Sequence, residues 1–441
     1  MKTRLAMQTL AATVLCAGLA DPGYAATVYK HGDQQIDVGG RLQLLSMGEL
    51  LDNGVYSDAA RTVPYRMNTR LYMFQKHSRL SLSSRNGEYK LFSQLGLGAE
   101  DVTTPNVGLS LLDLYGQIPV GIGTLRFGQM KVAYGREQLT EEGAWQFSDL
   151  SVQNLGFRMG RDVGFSLETH PGPATVLLGM YTGGGRSVPE RYLPENFGVP
   201  LFTLRAGVGD ADADAFSLAQ RDHGAEGLKS AFFVNALYGK DTVIGHSSAF
   251  NVKMADKSLL LNSNYNPYLG GRPPLQGTVW QAGADAAVRA PLGPVALSGE
   301  AQADFANYSN GNGYLNLYGG RAQVGVGYRP IEAALRYSVL VPDTRMGYTA
   351  AAPAAGFYPI FGSNGAPIQE ITPSLTYFIK GEEVKLTFDL PILLDNPVAI
   401  EKGLGAYSLT SMPDQTSVLG AGGSVVRQTV VQGKMTLQYA F

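Results

Sequence analysis

In the last twelve residues of the chain, most apolar and polar side chains alternate. The apolar positions share one parity and the polar positions the other: Val431, Met435, Leu437, Tyr439 and Phe441 against Gln432, Lys434, Thr436 and Gln438. A period of two places the two sets on opposite faces of a β-strand. Such a strand suits a sheet that separates an apolar medium from water, and this requirement restricts the possible folds more than any other feature.

The same alternation recurs along the chain. It defines sixteen segments, approximately 35–45, 78–85, 88–100, 110–118, 124–131, 161–169, 174–182, 201–208, 229–238, 279–289, 294–305, 315–329, 333–341, 371–379, 383–390 and 429–441. An even strand count lets an antiparallel barrel close with both ends on one side. Closure also removes sheet edges, which lipid cannot hydrogen-bond. We therefore predict an all-β fold, a transmembrane antiparallel β-barrel of about sixteen strands.

The connections between these segments support a barrel. Short turns such as Asn86-Gly87, a hairpin dipeptide, nearly alternate with long loops. The long loops are 46–77, 132–160, 183–200, 239–278, 342–370 and 391–428. We expect the short turns on the periplasmic side and the long loops outside the cell. The segment 209–228 departs from this order, since it falls where a short turn is due. It is either a long turn or a region with further strands.

Composition agrees with a lipid-facing surface. Charged residues are 16% of the chain, against about 25% in soluble proteins, while Gly 55, Tyr 23 and Phe 18 are abundant. A single Cys excludes a disulfide scaffold or a zinc cluster. A sequence pI of 6.2 gives no sign of nucleic-acid binding. We expect no metal and no cofactor.

The first 25 residues have the pattern of a secretory signal peptide. Lys2 and Arg4 precede an apolar stretch over 5–20, and the small residues Gly23 and Ala25 suit cleavage after Ala25. A buried helix or membrane anchor is the alternative, but Pro-Gly at positions 22–23 would break a helix. We predict a signal peptide over 1–25 and a barrel over 26–441. The terminal Phe resembles the assembly signal of Gram-negative outer-membrane barrels.

Two stretches resemble known porins. The segment after the cleavage site, ATVYKHGDQQIDVGGRLQ, resembles the start of Gram-negative general porins. The segment GTLRFGQMKVAYGREQLTEEGAWQFSDLSVQNLGFRMGRDVGFSLE resembles the phosphate-selective (O/P-type) porin family over about 120–170, through Gly128, Lys131, Gly135, Glu137, Gly160, Arg161, Asp162 and Gly164. Val132 and Ala133 stand where that family has a Pro beside its Lys. The resemblance implies a loop folded into the pore and a homotrimer, and leaves the solute open.

The loop 132–160 is the predicted constriction. The residues proposed to line it are Lys131, Arg136, Glu137, Glu141, Glu142, Asp149, Arg158 and Arg161. Charges of both signs across a narrow neck would orient polar solutes in a transverse field. An ordinary solvated surface loop is the alternative.

Alternation also assigns charged residues to the lumen. These are Arg41, Arg79, Arg126, Arg205, Asp285, Arg289, Glu300, Arg321 and Arg336, with Arg329 and Lys380 placed inside by the same rule. An Arg or Lys facing lipid at the bilayer midplane would cost about 2–4 kcal/mol. Inward bases outnumber inward acids by a few, which predicts a mild preference for anions. A hydrated lumen without selectivity is the alternative.

The expected function is passive diffusion of small hydrophilic solutes, with anions or oxyanions such as phosphate preferred, across a Gram-negative outer membrane. A barrel sheath around a multihaem cytochrome is the alternative; the partner would supply the haem, because the chain contains no Cys-x-x-Cys-His. An enzyme is not expected, since His77-Ser78 and His246-Ser247 fit no nucleophile elbow. The acidic run 210–214 lacks the Gly and Glu of a calcium loop.

Overall fold

The computed structural model describes twelve stretches of the chain. They are residues 25–51, 54–57, 62–65, 70–98, 109–183, 199–209, 227–240, 278–310, 313–342, 367–401, 405–408 and 424–441. The predicted signal peptide lies outside them except for Ala25. Most of the predicted long outer loops also lie outside them.

The described residues form mainly β-strands. In chain order they are β1 (Ala26–His31), β2 (Gln34–Leu51), β3 (Gly54–Ser57), β4 (Thr62–Tyr65), β5 (Arg70–Asn86), β6 (Tyr89–Gly96), β7 (Ser110–Val120), β8 (Gly123–Lys131), β9 (Arg161–Thr169), β10 (Ala174–Tyr181), β11 (Val199–Gly209), β12 (Lys229–Lys240), β13 (Thr278–Leu292), β14 (Val295–Asn310), β15 (Gly313–Tyr328), β16 (Ile331–Pro342), β17 (Ile368–Lys380), β18 (Val384–Asp389), β19 (Ile392–Glu401), β20 (Gly405–Ser408) and β21 (Ser424–Ala440).

These strands close into a barrel. From β5 to β17 each strand pairs antiparallel with the next along the chain. β18 and β19, interrupted at Leu390-Pro391, both pair with β17 and with β21, so they form one wall strand. β21 pairs with β2, and β2 with β5, which completes the ring. Counted in this way the described wall has sixteen strands, and the predicted barrel is confirmed.

The seam of the barrel lies along β2. The first residues of β2, from Gln34 to Val38, pair with β1, and its later residues, from Arg41 onward, pair with β21. Between the two parts, the amides of Gly40 and Phe441 each donate to the other residue's carbonyl at 2.9 Å. β1 and β21 therefore occupy successive stretches of one edge of β2.

Several strands are longer than the sequence predicts. β19 (Ile392–Glu401) lies in the predicted loop 391–428, and β2 and β5 both extend into the predicted loop 46–77. Asp395, Asn396 and Pro397, residue types common in turns, lie in this predicted loop. In the barrel they cause only a register shift, because β21 remains a hydrogen-bonding partner beyond them.

The segment 209–228 adds no strand between its neighbours in the wall. Val208 of β11 pairs directly with Phe232 of β12. The chain therefore leaves β11 and enters β12 on the side where the other turns are short. Residues 210–226 between them, including the acidic run, lie outside the described residues.

The two faces of the wall have the predicted polarity. Leu335 on β16 is 49% exposed and faces outward, while the next residue, Arg336, is 2% exposed and faces inward. Between β8 and β9 the chain forms an inner loop over residues 132–160, with one-turn helices at Arg136–Leu139 and Asn154–Phe157. No helix among the described residues is long and apolar enough to cross a membrane.

Candidate permeation site in the lumen

The inner loop is fastened to itself where it leaves and re-enters the wall. The amide of Val132 donates to the carbonyl of Gly160 at 3.0 Å. The side chain of Gln138 donates to the carbonyls of both residues at 3.1 Å. Gly135 and Gly160 have φ angles of 70°, a left-handed conformation that glycine adopts without steric cost. These bonds hold the two ends of the loop together and turn its middle into the barrel.

One side of the inner loop binds the wall at β12 to β14. Arg136 Nε donates to Asp285 Oδ1 at 3.0 Å, and the Tyr134 hydroxyl donates to Asp304 Oδ1 at 3.0 Å. Arg205 of β11 pairs with the same Asp285. Arg136, Asp285 and Arg205 are all buried, so their charges face one another and not open solution.

Glu137 organises the middle of the inner loop. Its carboxylate accepts hydrogen bonds from the amide and hydroxyl of Ser151, at 3.0 and 2.6 Å, and lies 3.4 Å from Arg336. Arg321 also approaches it at 3.8 Å. Arg321 and Arg289 share Glu300, at 3.1 and 2.7 Å. These predicted lumen bases are therefore each matched by an acid.

Glu142 fastens the inner loop to the seam side of the barrel. Its Oε2 lies 3.1 Å from Arg41 Nη2 and 2.6 Å from Arg79 Nη1. Burial by itself raises the pKa of the Glu142 carboxyl, but the positive charges of Arg79, Lys131 and Arg41 outweigh it and hold the pKa well below 4.5. Glu142 is therefore ionised at neutral pH.

Asp149 makes a second attachment on the same side. Its two carboxylate oxygens lie 3.2 Å from Lys76 and 3.0 Å from Lys434. Burial raises the pKa of Asp149, but the charges of Lys434 and Lys76 lower it to a value below the ordinary 3.8. Sequence reasoning missed both lysines as partners, although the alternation of the last strand places Lys434 inside.

Apolar contacts also hold the inner loop. Ala133 packs in a cluster with Leu177, Phe233 and other inward residues of the wall, and Leu139 lies against it. The Phe147 ring lies 4.4 Å from the Arg336 guanidinium.

Because the loop reaches from β2 to β13, it occupies the space that a cytochrome inside the barrel would need. The sheath alternative is therefore not favoured.

A cavity of about 220 Å³ remains between the inner loop and the wall from β6 to β10. We call it the cleft and define it by its lining residues, Lys90, Phe92, Asp113, Tyr115, Arg126, Met130, Lys131, Ala133, Leu139, Glu141, Ser166, Leu177 and Tyr181. The inner loop forms one side and inward side chains of five neighbouring strands form the other.

Charged groups of both signs surround the cleft. Lys131 Nζ donates to the carbonyls of Leu139 and Thr140 at 3.4 and 3.3 Å and lies 3.6 Å from Glu141. The Glu141 side chain is 53% exposed, so it keeps contact with water. Arg126 pairs with Glu168 at 3.0 Å.

One further ion pair completes the surroundings of the cleft. Arg161 Nε lies 3.0 Å from Asp113 Oδ1, which itself lines the cleft. Arg158 is half-buried on the returning arm of the inner loop, and its amide donates to the Asn154 carbonyl at 2.9 Å. No three His, Cys, Asp or Glu side chains of the described stretches are grouped to hold a metal ion.

The predicted residues thus divide into two groups. Lys131, Glu141 and Arg126 line the cleft, whereas Arg136, Glu137, Glu142 and Asp149 attach the inner loop to the wall. Arg329 and Lys380 keep the inward parity of their strands, but both are exposed beside turns at the strand ends, beyond the buried part of the lumen. Sequence reasoning missed Lys90 and Phe92, although their parity in the predicted segment 88–100 could have indicated them.

Comparison with known proteins bears on the same region. Residues 88–196, which include β6 to β10 and the inner loop, match the model of a family described as phosphate-selective porin O and P. No curated protein sequence matches the chain.

Three solved structures are similar in outline. The trimer form of OmpT from Vibrio cholerae has a TM-score of 0.49 and 8% identity, over 93% of this chain and 100% of that one. An anion-selective porin from Comamonas acidovorans has a TM-score of 0.48 and 13% identity, over 93% of this chain and 100% of that one. Salmonella typhi OmpF in complex with daunomycin has a TM-score of 0.48 and 9% identity, over 94% of this chain and 100% of that one. At this level of similarity the fold rests on the strand pairing described above.

Proposed function

We propose that this chain, an outer-membrane porin, lets small hydrophilic solutes diffuse passively and favours anions mildly, including oxyanions such as phosphate. The observation that carries the preference is the composition of the cleft, where Lys90, Arg126 and Lys131 converge on one cavity. Passive diffusion down a gradient needs no cofactor. The family match indicates a channel rather than an enzyme.

The size of the preference follows from the charges near the cleft. Four bases, Lys90, Arg126, Lys131 and Arg161, stand against three acids, Asp113, Glu141 and Glu168. The excess is one positive charge in a narrow space with low-dielectric walls, where a small imbalance produces an appreciable potential.

The inner loop is the proposed constriction. Its attachments at Glu142, Asp149 and Arg136 fix its position on opposite walls, so solutes would pass through the cleft beside it. We further propose that residues 1–25 are a cleaved signal peptide and that 26–441 form the barrel. Lipid of the outer membrane would cover the apolar exterior of the wall.

A homotrimer is proposed from the resemblance to porins. It is tested by the mass of the protein purified in a mild detergent. A mass of three chains is expected, and a mass of one chain would contradict the trimer without affecting the channel proposal. Absence of a co-purifying haem protein is the further expectation, checked by the visible spectrum of the same sample.

The preference is tested by reversal potentials in planar bilayers across a potassium chloride gradient. We expect stepwise conductance and a reversal potential of the sign that anion permeation gives. Lys131→Gln should move it toward zero, whereas Lys30→Gln, an exposed lysine on β1 away from the cleft, should not. Phosphate added to chloride should reduce the current. A reversal potential showing cation preference would contradict the proposal.

A further inference from the structure

The cleft has an apolar side that a channel for inorganic ions does not need. Phe92 of β6 and Tyr115 of β7 are paired in register and point inward, with ring centroids 5.3 Å apart and an angle of 36° between the rings. The next partner of Tyr115 is Gly128 of β8, which has no side chain to cover the rings. Two adjacent aromatic faces therefore line the cavity.

The inner loop presents apolar groups to the same cavity. Leu139 and Ala133 come from the loop, and Met130 and Leu177 come from the wall beside it. Leu177 and Ala133 also belong to the buried cluster beneath the loop. The cleft is thus bounded by apolar side chains on both sides, between the wall and the loop.

Basic groups stand at both ends of this apolar section. Arg126 precedes Gly128 on β8 by two residues and Lys131 follows it by three. At about 3.3 Å per residue these positions lie roughly 7 and 10 Å to either side along the strand. Lys90 Nζ lies 5.5 Å from the centroid of the Phe92 ring. A solute moving through the cleft would meet positive charge, then aromatic surface, then positive charge.

We propose that the cleft binds organic anions that carry an apolar body, with aromatic monocarboxylates as the chemical class that fits. A carboxylate would be attracted by Lys90, Arg126 and Lys131, while its ring would lie against Phe92 and Tyr115 in the tilted arrangement that aromatic rings prefer. Phosphate and acetate can use only the charges. This inference rests on the proposed function, since it names the solute class of the same pathway.

The test uses blockade of chloride current through wild-type channels in planar bilayers. Benzoate, acetate and inorganic phosphate are the probes. We expect benzoate to reach half-blockade at a concentration about two- to tenfold below that of acetate, the range given by one aromatic contact. Half-blockade by phosphate should resemble that by acetate.

Two variants and a control assign the difference to the aromatic pair. Phe92→Ala should bring benzoate and acetate to equal potency, whereas Tyr115→Phe, which keeps the ring, should retain the wild-type ratio. Phe165→Ala removes an aromatic ring that faces outward on β9 and is 51% exposed. This variant should also keep the wild-type ratio of benzoate to acetate potency. If Phe92→Ala fails to assemble, the ratio in the wild type still decides.

The outcomes separate the two proposals. If wild-type protein gives no stepwise conductance, the porin function itself fails. If it conducts but benzoate blocks no better than acetate, or if Phe92→Ala leaves the ratio unchanged, only the inference about organic anions is overturned.

Discussion

Arg79 Nη1 and Glu142 Oε2 lie 2.6 Å apart, and both side chains are almost completely withdrawn from solvent. Arg79 belongs to the wall and Glu142 to the inner loop. This pair therefore attaches the loop to the wall inside the barrel, where lipid has no part in holding it. Arg41 shares the same carboxylate oxygen at 3.1 Å. One attachment of the loop therefore consists of a single carboxylate shared by two wall arginines.

Replacing Glu142 by Gln should loosen the inner loop. Two buried guanidinium groups would lose their counter-charge, and we expect the docked position to become less favourable by about 1–3 kcal/mol. Single-channel recordings should then show larger and noisier conductance than in the wild type. Glu141→Gln is the matched control, because Glu141 is half-exposed; recordings as quiet as wild type for Glu142→Gln would contradict the anchoring role.

The docked loop should tolerate moderately acidic conditions. Because the charges of Arg79, Lys131 and Arg41 hold the folded-state pKa of Glu142 well below 4.5, its stabilisation is fully present above 4.5 and is lost only as pH falls through that lower pKa. Asp149, with a lowered pKa, acts in the same direction. Loss of the Glu142 attachment should therefore appear only below about pH 4.5, as an increase in conductance and noise that Glu142→Gln already shows at neutral pH. Single-channel recordings of both proteins across this range check it, and wild-type recordings that match those of Glu142→Gln above about pH 5 would contradict it.

Glu141→Gln should strengthen the anion preference without altering channel size. The change removes an acid that lies 3.6 Å from Lys131 and so raises the net positive charge of the cleft. We expect the reversal potential in a salt gradient to shift further toward the anion limit, with open-channel noise unchanged. Glu88→Gln, an exposed acid in the turn between β5 and β6, should shift it much less. An unchanged reversal potential would mean that Glu141 is not beside the permeation path.

Gly128→Ala should impair barrel assembly. Gly128 has a φ of 126°, and a Cβ there would meet the Leu114 carbonyl and the Tyr115 Cα. Strain of about 1–3 kcal/mol is expected. The fraction of protein that migrates as the compact form on unheated gels should fall. Gly121→Ala is the control, since a Cβ at Gly121 meets nothing within 4 Å. Equal folded fractions for both variants would contradict this explanation.

Much of the wall could be predicted from sequence because a membrane barrel imposes one rule on every strand. A residue such as Arg336 must face inward whatever its partner, so period-two alternation sufficed to place it. Strand ends were harder. At Asn396 the local turn preference was overridden by pairing with Gln428 of β21, a contact that no local pattern reveals.

The pairing within the lumen could not be predicted from sequence. Glu142 and Arg79 are separated by 63 positions, and which acid of the inner loop meets which wall base depends on how the loop lies across the barrel. Sequence reasoning treated Glu141 and Glu142 as equivalent pore-lining acids. Their neighbourhoods differ, because only one of them faces the open cleft. The apolar side of the cleft was also missed, since a wet lumen gave no reason to expect Phe92 there.

The seam between β2 and β21 has a consequence for assembly. Leu42 pairs with Tyr439, so the ring is completed by the two wall strands that lie farthest apart in sequence. Without β21, β2 and the β18–β19 strand each present a row of unpaired amides and carbonyls that lipid cannot satisfy. A chain lacking residues 424–441 is therefore a curled sheet with two reactive margins, not a narrower pore, and entry into the bilayer must await the final strand.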